Sequence, residues 1–242
     1  MKNKRYYSQK EMIVGEKTTL EGDEFLHLSK VMRTRVGESV TVFNGDGYDY
    51  EGTVIAINKN NAEIVIDKKI ENKMIPNANV TLFQALVKGD KLSTIVQKNT
   101  ELGIREIILF ESDYSDVKVG SKNLEKLNRV MISALKQCGS SSLVTINKEL
   151  KFDEMLKAIC EYDKVIFAYE NEESNSVRLV LENLNPADKI AVIVGAEGGF
   201  SSSEAIQIVS NGGVSTRLGK RILRAETAGI VLPALVIMHL EK

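Results

Sequence analysis

Between residues 12 and 70 the apolar positions recur at every second residue, in short runs punctuated by turn residues. Val40–Phe43, Tyr48–Ile57 and Ala62–Ile66 read as strands, separated by Asn44-Gly45-Asp46-Gly47 and by residues 58–61. An Asn-Gly or Asp-Gly step between such runs is the strongest short-range hairpin signal, because these residues accept the positive φ of a tight hairpin. The pattern predicts a small β-barrel. Inside it, Asp23–Arg33 places apolar residues at 25, 26, 28, 31 and 32, a helical spacing that predicts one short helix between the strands.

From Asn79 onward the pattern alternates between strand and helix. The predicted segments are Val80–Val87, Lys91–Leu102, Ile104–Phe110, Asn123–Cys138, Phe152–Glu161, Lys164–Tyr169, Lys189–Val194, Glu204–Ser210, Ser215–Leu218 and Ala225–His239. Such alternation implies parallel strands with crossover helices, an α/β domain. Ser121 and Asp153 stand where helix N-caps belong, and Gly103 and Gly139 where C′ glycines belong. The domains are expected at residues 1–72 and 73–242. The run Ala228–Met238 is about half of the roughly 20 residues of a spanning helix and contains Pro233. It predicts a buried helix that Pro233 kinks or begins.

Composition narrows the classes. The 242 residues carry 32 Lys plus Arg against 33 Asp plus Glu, a net charge of −1, which excludes a polycationic, histone-like mode of binding. With 43% hydrophobic and 27% charged residues the composition is that of a globular protein. Cys138 and Cys160 are too few for a disulfide framework and have no zinc spacing, and His27 and His239 have no second ligand nearby, so no metal site is expected. The basic N-terminal segment has no apolar run behind it, so the expected compartment is the reducing cytoplasm.

Two segments carry candidate chemistry. Lys189–Val209 is a β-run, a turn with Gly195, Gly198 and Gly199, then Ser201-x-x-Glu204 as a capping box. The glycines let backbone approach a ligand closely, yet the spacing fits neither the dinucleotide nor the Walker pattern. Glu197 adds a carboxylate to that turn. Arg217–Thr227 sets four cations before the most apolar helix, and Arg221 and Arg224 there oppose the helix dipole, which marks them as functional.

The strings VGAEGGFSSSE (194–204) and LGKRILRAETA (218–228) resemble the paired signature of the 16S rRNA uracil-N3 methyltransferases of the SPOUT class. His27 with Val31-Met32-Arg33 and the Asn44–Gly47 turn resemble that family's N-terminal PUA-like barrel. Lys88–Lys91 and Gln97–Gly103 resemble the start of its catalytic domain. The resemblance implies a trefoil-knotted α/β domain, a homodimer, and S-adenosylmethionine as cofactor. It maps donor contacts to Phe167, Ala168 and Tyr169, to Gly195, Glu197, Gly198, Gly199 and Phe200, and to Leu218, Gly219, Ile222, Leu223 and Arg224.

Uracil N3 is a poor nucleophile until its proton leaves, so catalysis needs orientation, a proton acceptor and relief of charge on O2 and O4. Arg224 is the expected anion stabiliser, and Glu197, or a water it orients, the expected acceptor. Lys4 and Arg5 beside Tyr6 and Tyr7, and Lys30, Arg33 and Arg35, are candidate RNA contacts, cations near stackable rings. Lys88, Lys118, Gln137 and Arg221 complete the RNA-binding set. Three stretches depart from the family pattern: Tyr114–Lys118 lacks its arginine, Lys136–Ser140 lacks an acid and an arginine, and Ala196 replaces a proline. Two alternatives stand beside this reading: a related enzyme acting on another RNA nucleotide, and an RNA-binding assembly factor without catalysis.

Overall fold

The computed structural model describes residues 4–74, 76–115 and 121–241. Two compact units emerge, Met1–Ile75 with Ile132–Leu143 and Pro76–Met131 with Val144–Lys242.

The first unit is a curled five-stranded sheet of β1 (Arg5–Tyr7), β2 (Lys17–Glu21), β3 (Ser39–Phe43), β4 (Tyr48–Ile57) and β5 (Asn61–Glu71), in the order β1-β3-β4-β5-β2. Only the β1–β3 pair is parallel; the rest are antiparallel. Register shifts at Glu51/Gly52 and Val54/Ala56 bend the long β4–β5 hairpin. The Asn44–Gly47 turn joins β3 and β4 as expected, with Asp46 accepting hydrogen bonds from the Tyr48 N–H and the Tyr50 hydroxyl. The expected helix is α1 (Gly22–Leu26), which widens into a π-helical turn over His27–Val31. Tyr6, Leu28, Val42, Val54 and Ile64 form the centre of the core.

Arg5 does not belong among the RNA contacts. It is 5% exposed and forms a two-pronged pair with Asp49 at 2.9 and 3.0 Å. The same guanidinium donates to the Ser140 carbonyl and to Ser141 Oγ at 2.7 Å, and Asn72 Nδ2 donates to the Gly139 carbonyl at 2.8 Å. These bonds fasten the turn after Cys138 to β1 and β4. A buried guanidinium must be paired, and this one is used inside the fold.

The second unit is a six-stranded, wholly parallel sheet of β6 (Asn79–Ala85), β7 (Glu106–Phe110), β8 (Thr145–Leu150), β9 (Lys164–Ala168), β10 (Lys189–Val194) and β11 (Gly213–Thr216), in the order β11-β9-β10-β6-β7-β8. The connecting helices are α2 (Lys91–Leu102), α3 (Ser121–Cys138), α4 (Phe152–Ile159), α5 (Val177–Leu181), α6 (Ser202–Ser210) and α7 (Ala225–Leu240). β6, β7 and β8 step one way, whereas β9, β10 and β11 lie on the other side of β6. The carboxyl ends of strands at such a reversal form a natural ligand crevice. Asp153 is not an N-cap: it sits in the first turn of α4, whose cap residue is Lys151.

Pro233 does not begin the last helix either, since α7 runs unbroken from Ala225 to Leu240. Proline has no N–H to give the carbonyl four residues earlier, which is that of Gly229. Asn99, fully buried on α2, supplies the missing bond: its Nδ2 donates to the Gly229 carbonyl at 2.8 Å and to the Ile95 carbonyl at 2.9 Å. At Gly229 a Cβ would lie 2.5 Å from Gln84 Oε1, so a side chain there would require the Gln84 amide to shift. We predict that Asn99→Leu, which strands a buried carbonyl, lowers the unfolding free energy by about 1–3 kcal/mol. Urea denaturation checks this, and an unchanged midpoint would show that α7 does not need the bond.

Candidate active site

β9, β10 and β11 end side by side, and the chain segments that leave them enclose a cavity of about 470 Å³. Residues 168–173, 194–199 and 216–223 line it, with Ala225 and Ala228 from the start of α7. Ala168, Tyr169, Gly195, Glu197, Gly198, Gly199, Leu218, Gly219, Arg221, Ile222 and Leu223 are thereby brought together. Phe167 and Phe200 are not on the wall. Both are buried, and Phe200 stacks on Phe110 at 6.4 Å and meets Phe167 edge-on at 5.9 Å. Their rings belong to the core beneath the cavity, where apolar area leaves water. Arg224 stands just beyond the lining as the exposed N-cap residue of α7.

The glycine-rich turn has a steric origin. Gly199 sits at φ +69° and donates its N–H to the Ala196 carbonyl at 3.0 Å. A Cβ at Gly195 would lie 2.9 Å from the Gly199 backbone, and one at Gly199 would collide with the Glu170 carboxylate. The turn closes on itself only without a side chain at Gly195, and Gly199 supplies the left-handed φ it needs. Behind it, Ser201 caps α6 as expected, and Glu204, 2% exposed, accepts from the Ser201 N–H at 2.9 Å. The second Glu204 oxygen accepts from the Asp113 N–H at 2.8 Å, a contact the capping pattern alone does not foretell.

Glu197 is engaged. Its Oε1 accepts from Lys91 Nζ at 2.6 Å and from the Lys88 N–H at 2.9 Å. Partial burial alone would push its carboxyl up, but the Lys91 ammonium and the N–H bonds outweigh that and hold it below the usual carboxylate range. A general base works best near the operating pH. A carboxylate so stabilised is a poor proton acceptor, so Glu197 is better suited to fastening the Lys88–Lys91 segment to the turn.

The opposite wall is open backbone. Among the described residues, the N–H groups of Leu218 to Leu223 make no hydrogen bond to the rest of the protein. The pattern of residues missed Glu170, Glu172 and Glu173, which line the cavity behind β9. Their only signal is an acid-rich stretch directly after a predicted strand. The Glu172 carboxyl is held low by the Ser215 hydroxyl and the Asn175 and Ser174 N–H groups, so it stays charged.

The remaining predicted contacts scatter. Lys30, Arg33, Arg35 and Gln137 are exposed on the first unit, with Arg33 at φ +52°. Lys4 pairs with Glu38 at 2.7 Å, and Lys136 with Glu24 at 2.6 Å. Exposed Lys88 lies on the segment that Glu197 fastens, and Lys118 lies outside the described residues. Burial holds the His27 imidazole low, and its ring meets Tyr6 edge-on at 5.6 Å. Among the described residues no cluster could hold a metal ion, and no helix is long and apolar enough to cross a membrane.

The parallel sheet with a ligand cavity beyond its carboxyl ends and the small curled sheet are those of an RNA methyltransferase carrying a PUA domain, the class that two family matches define. The RNA methyltransferase domain family matches residues 74–237, and the RNA methyltransferase PUA domain family matches residues 20–67. The chain belongs to the family of ribosomal RNA small subunit methyltransferase E. The protein of that name from Rickettsia conorii is 31% identical over 239 residues, 98% of this chain and 96% of that one. Its Bacillus subtilis counterpart is 29% identical over 219 residues, covering 87% and 85%. The crystal structure of the Neisseria gonorrhoeae protein, bound to S-adenosyl methionine, matches with a TM-score of 0.88 at 28% identity, over 98% of this chain and 97% of that one.

We predict that Glu197→Gln removes a pH-dependent increment of stability. The carboxyl is held below its unfolded value, so its contribution is complete above about pH 5 and is lost as pH falls through the folded value. The wild-type minus Glu197→Gln difference in unfolding free energy should be flat from pH 7 to 5 and shrink below. A difference that stays flat to pH 3 would remove the Lys91 pairing as its source.

Proposed function

We propose that this protein transfers a methyl group from S-adenosylmethionine to N3 of one uridine in the 16S RNA of the small ribosomal subunit, acting in the cytoplasm. The observation that carries the reading is the cavity itself, with unused N–H groups at 218–223 on one wall and the turn of Gly195, Gly198 and Gly199 on the other. Its volume lies within the roughly 300–1,000 Å³ of small-molecule sites. The names of the relatives support the substrate.

S-adenosylmethionine, when bound, supplies a methyl group already activated by the sulfonium charge. The open N–H groups of Leu218–Leu223 suit the edge of an adenine. Glu170 and Glu172 give the cavity negative charge to balance a cationic ligand. Arg224, which has no acidic partner among the described residues, stabilises the charge that spreads over uracil O2 and O4 as the N3 proton passes to water. Glu197 holds the Lys88–Lys91 segment in place. The knotted threading implied by the resemblance belongs to the same reading, with the 195–200 and 218–224 loops at its centre.

RNA contact is assigned to Lys30, Arg33 and Arg35, which stand exposed around the π-helical turn beside exposed Val31 and Val36. The testing experiment is transfer of labelled methyl to small subunits lacking the modification, with the product nucleoside identified. N3-methyluridine is expected, and Arg224→Ala should lower turnover by about 100-fold or more with donor affinity unchanged. A wild-type rate in Arg224→Ala, or a different methylated nucleoside, overturns the assignment. In the same assay, Lys30→Ala combined with Arg33→Ala should reduce the salt slope of RNA binding by about 2.

The last helix supports a homodimer. Met238 is 68% exposed, and Ile230, Val231 and Leu235 are only partly covered, so an apolar stripe of α7 faces outward. Sedimentation at micromolar concentration should give twice the 26.8 kDa chain mass, and Met238→Lys should shift it towards one chain. A wild-type protein sedimenting at the single-chain mass would remove the dimer.

A further inference from the structure

The first residues that leave β7, 111–115, are hydrogen-bonded to several other segments. Glu111 donates its N–H to the Leu150 carbonyl at 2.9 Å, and the Asp113 N–H goes to the buried Glu204 carboxylate at 2.8 Å. Ser201 Oγ donates to Asp113 Oδ2 at 2.6 Å, and Ser115 Oγ donates to the Leu86 carbonyl at 3.3 Å. Two of these bonds hold the backbone at Glu111 and Asp113 and two hold the side chains of Asp113 and Ser115, so Tyr114 is flanked by anchored residues on both sides. The Tyr114 ring is 50% exposed, and its hydroxyl has no partner among the described residues.

What the ring touches is the turn of the cavity. A Cβ at Gly198 would lie 3.0 Å from Tyr114 Cβ and Cγ, so the ring rests where that residue has no side chain. Gly198 does not adopt a left-handed φ, so conformation alone does not call for glycine there. Close approach of the ring does. Gly198 is also part of the cavity wall, which puts the phenol one residue away from the space assigned to the methyl donor. A flat, half-exposed ring set against the turn of the donor cavity offers a face on which an unstacked base can rest.

We propose that Tyr114 is the platform on which the target uracil stacks at the edge of the donor cavity. This rests on the methyl-transfer reading above, and Tyr114 acts on the base, whereas Gly195–Gly199 and Leu218–Leu223 act on the donor.

The test compares wild type, Tyr114→Phe, Tyr114→Leu and Tyr114→Ala by steady-state methyl transfer to small subunits lacking the modification. Donor affinity is measured in parallel by calorimetry with S-adenosylmethionine. Loss of one base–aromatic stack corresponds to a fall of about 5-fold to about 150-fold in kcat/KM for RNA. Tyr114→Ala and Tyr114→Leu should both show it with donor affinity within about 2-fold of wild type, and Tyr114→Phe should stay close to wild type. Leucine keeps apolar bulk against Gly198 without a flat face, so a fall there separates stacking from simple support of the turn. The inference is overturned if Tyr114→Leu keeps wild-type kcat/KM, if Tyr114→Phe falls with Tyr114→Ala, or if donor affinity drops by the same factor as the rate. If wild type methylates no RNA, the functional reading itself fails and takes the inference with it, a result distinct from any difference among the variants.

Discussion

The second unit depends on one close approach, that of Gly195 to the backbone of Gly199. β10 sits between β9 and β6, so the chain emerging from it must turn at once to reach α6 without filling the crevice at the strand ends. It does so in four residues, with the Gly199 N–H on the Ala196 carbonyl. Everything around the cavity is then referred to this turn. The Glu170 carboxylate lies over Gly199, Glu197 ties the turn to Lys88 and Lys91, and Phe200 anchors its far end between Phe110 and Phe167. A side chain at Gly195 would push the two halves of the turn apart, and one at Gly199 would displace the Glu170 carboxylate from the wall.

Much of this was legible because its cause is local. Alternation in β4 and the first half of β5, the Asn44–Gly47 turn, and Ser201 with Glu204 each express a rule that works within a few residues and appear where the pattern put them, although β5 runs on past the expected Ile66 through exposed residues to Glu71. β8 escaped because it is an edge strand. Its residues, Thr-Ile-Asn-Lys-Glu-Leu, carry the charge and polarity that protect an edge from unwanted pairing, and so they lose the apolar run that marks a buried strand. α5 escaped because five residues are too few for a helical period to register.

The remaining misreadings share a different cause, which is that the partner lies far away in sequence. Arg5 beside two tyrosines looks like a nucleic-acid contact until Asp49 and Ser141 are placed next to it, 44 and 136 residues on. Pro233 reads as a break until Asn99, on another helix, supplies the bond it cannot. Phe167 and Phe200 sit inside segments that do line the cavity, yet their rings point into the core. A motif identifies which backbone reaches the site. It does not fix the direction of each side chain, because direction depends on the strand face and on the neighbours that the fold brings up.

Glu197 shows how a pairing changes the role that a residue type suggests. A lone carboxylate in a glycine-rich turn has the composition of a general base, but Lys91 at 2.6 Å makes its charged form the stable one. The charges around the cavity follow the same logic on a larger scale. Acids come from the segment after β9, where Glu170, Glu172 and Glu173 stand, and cations come from the segment after β11, with Arg217, Lys220 and Arg221. A net charge of −1 for the whole chain says nothing of this division. Acidic and basic side chains thus stand on different segments of one cavity, and charge at a site is set by such local placement and not by the total.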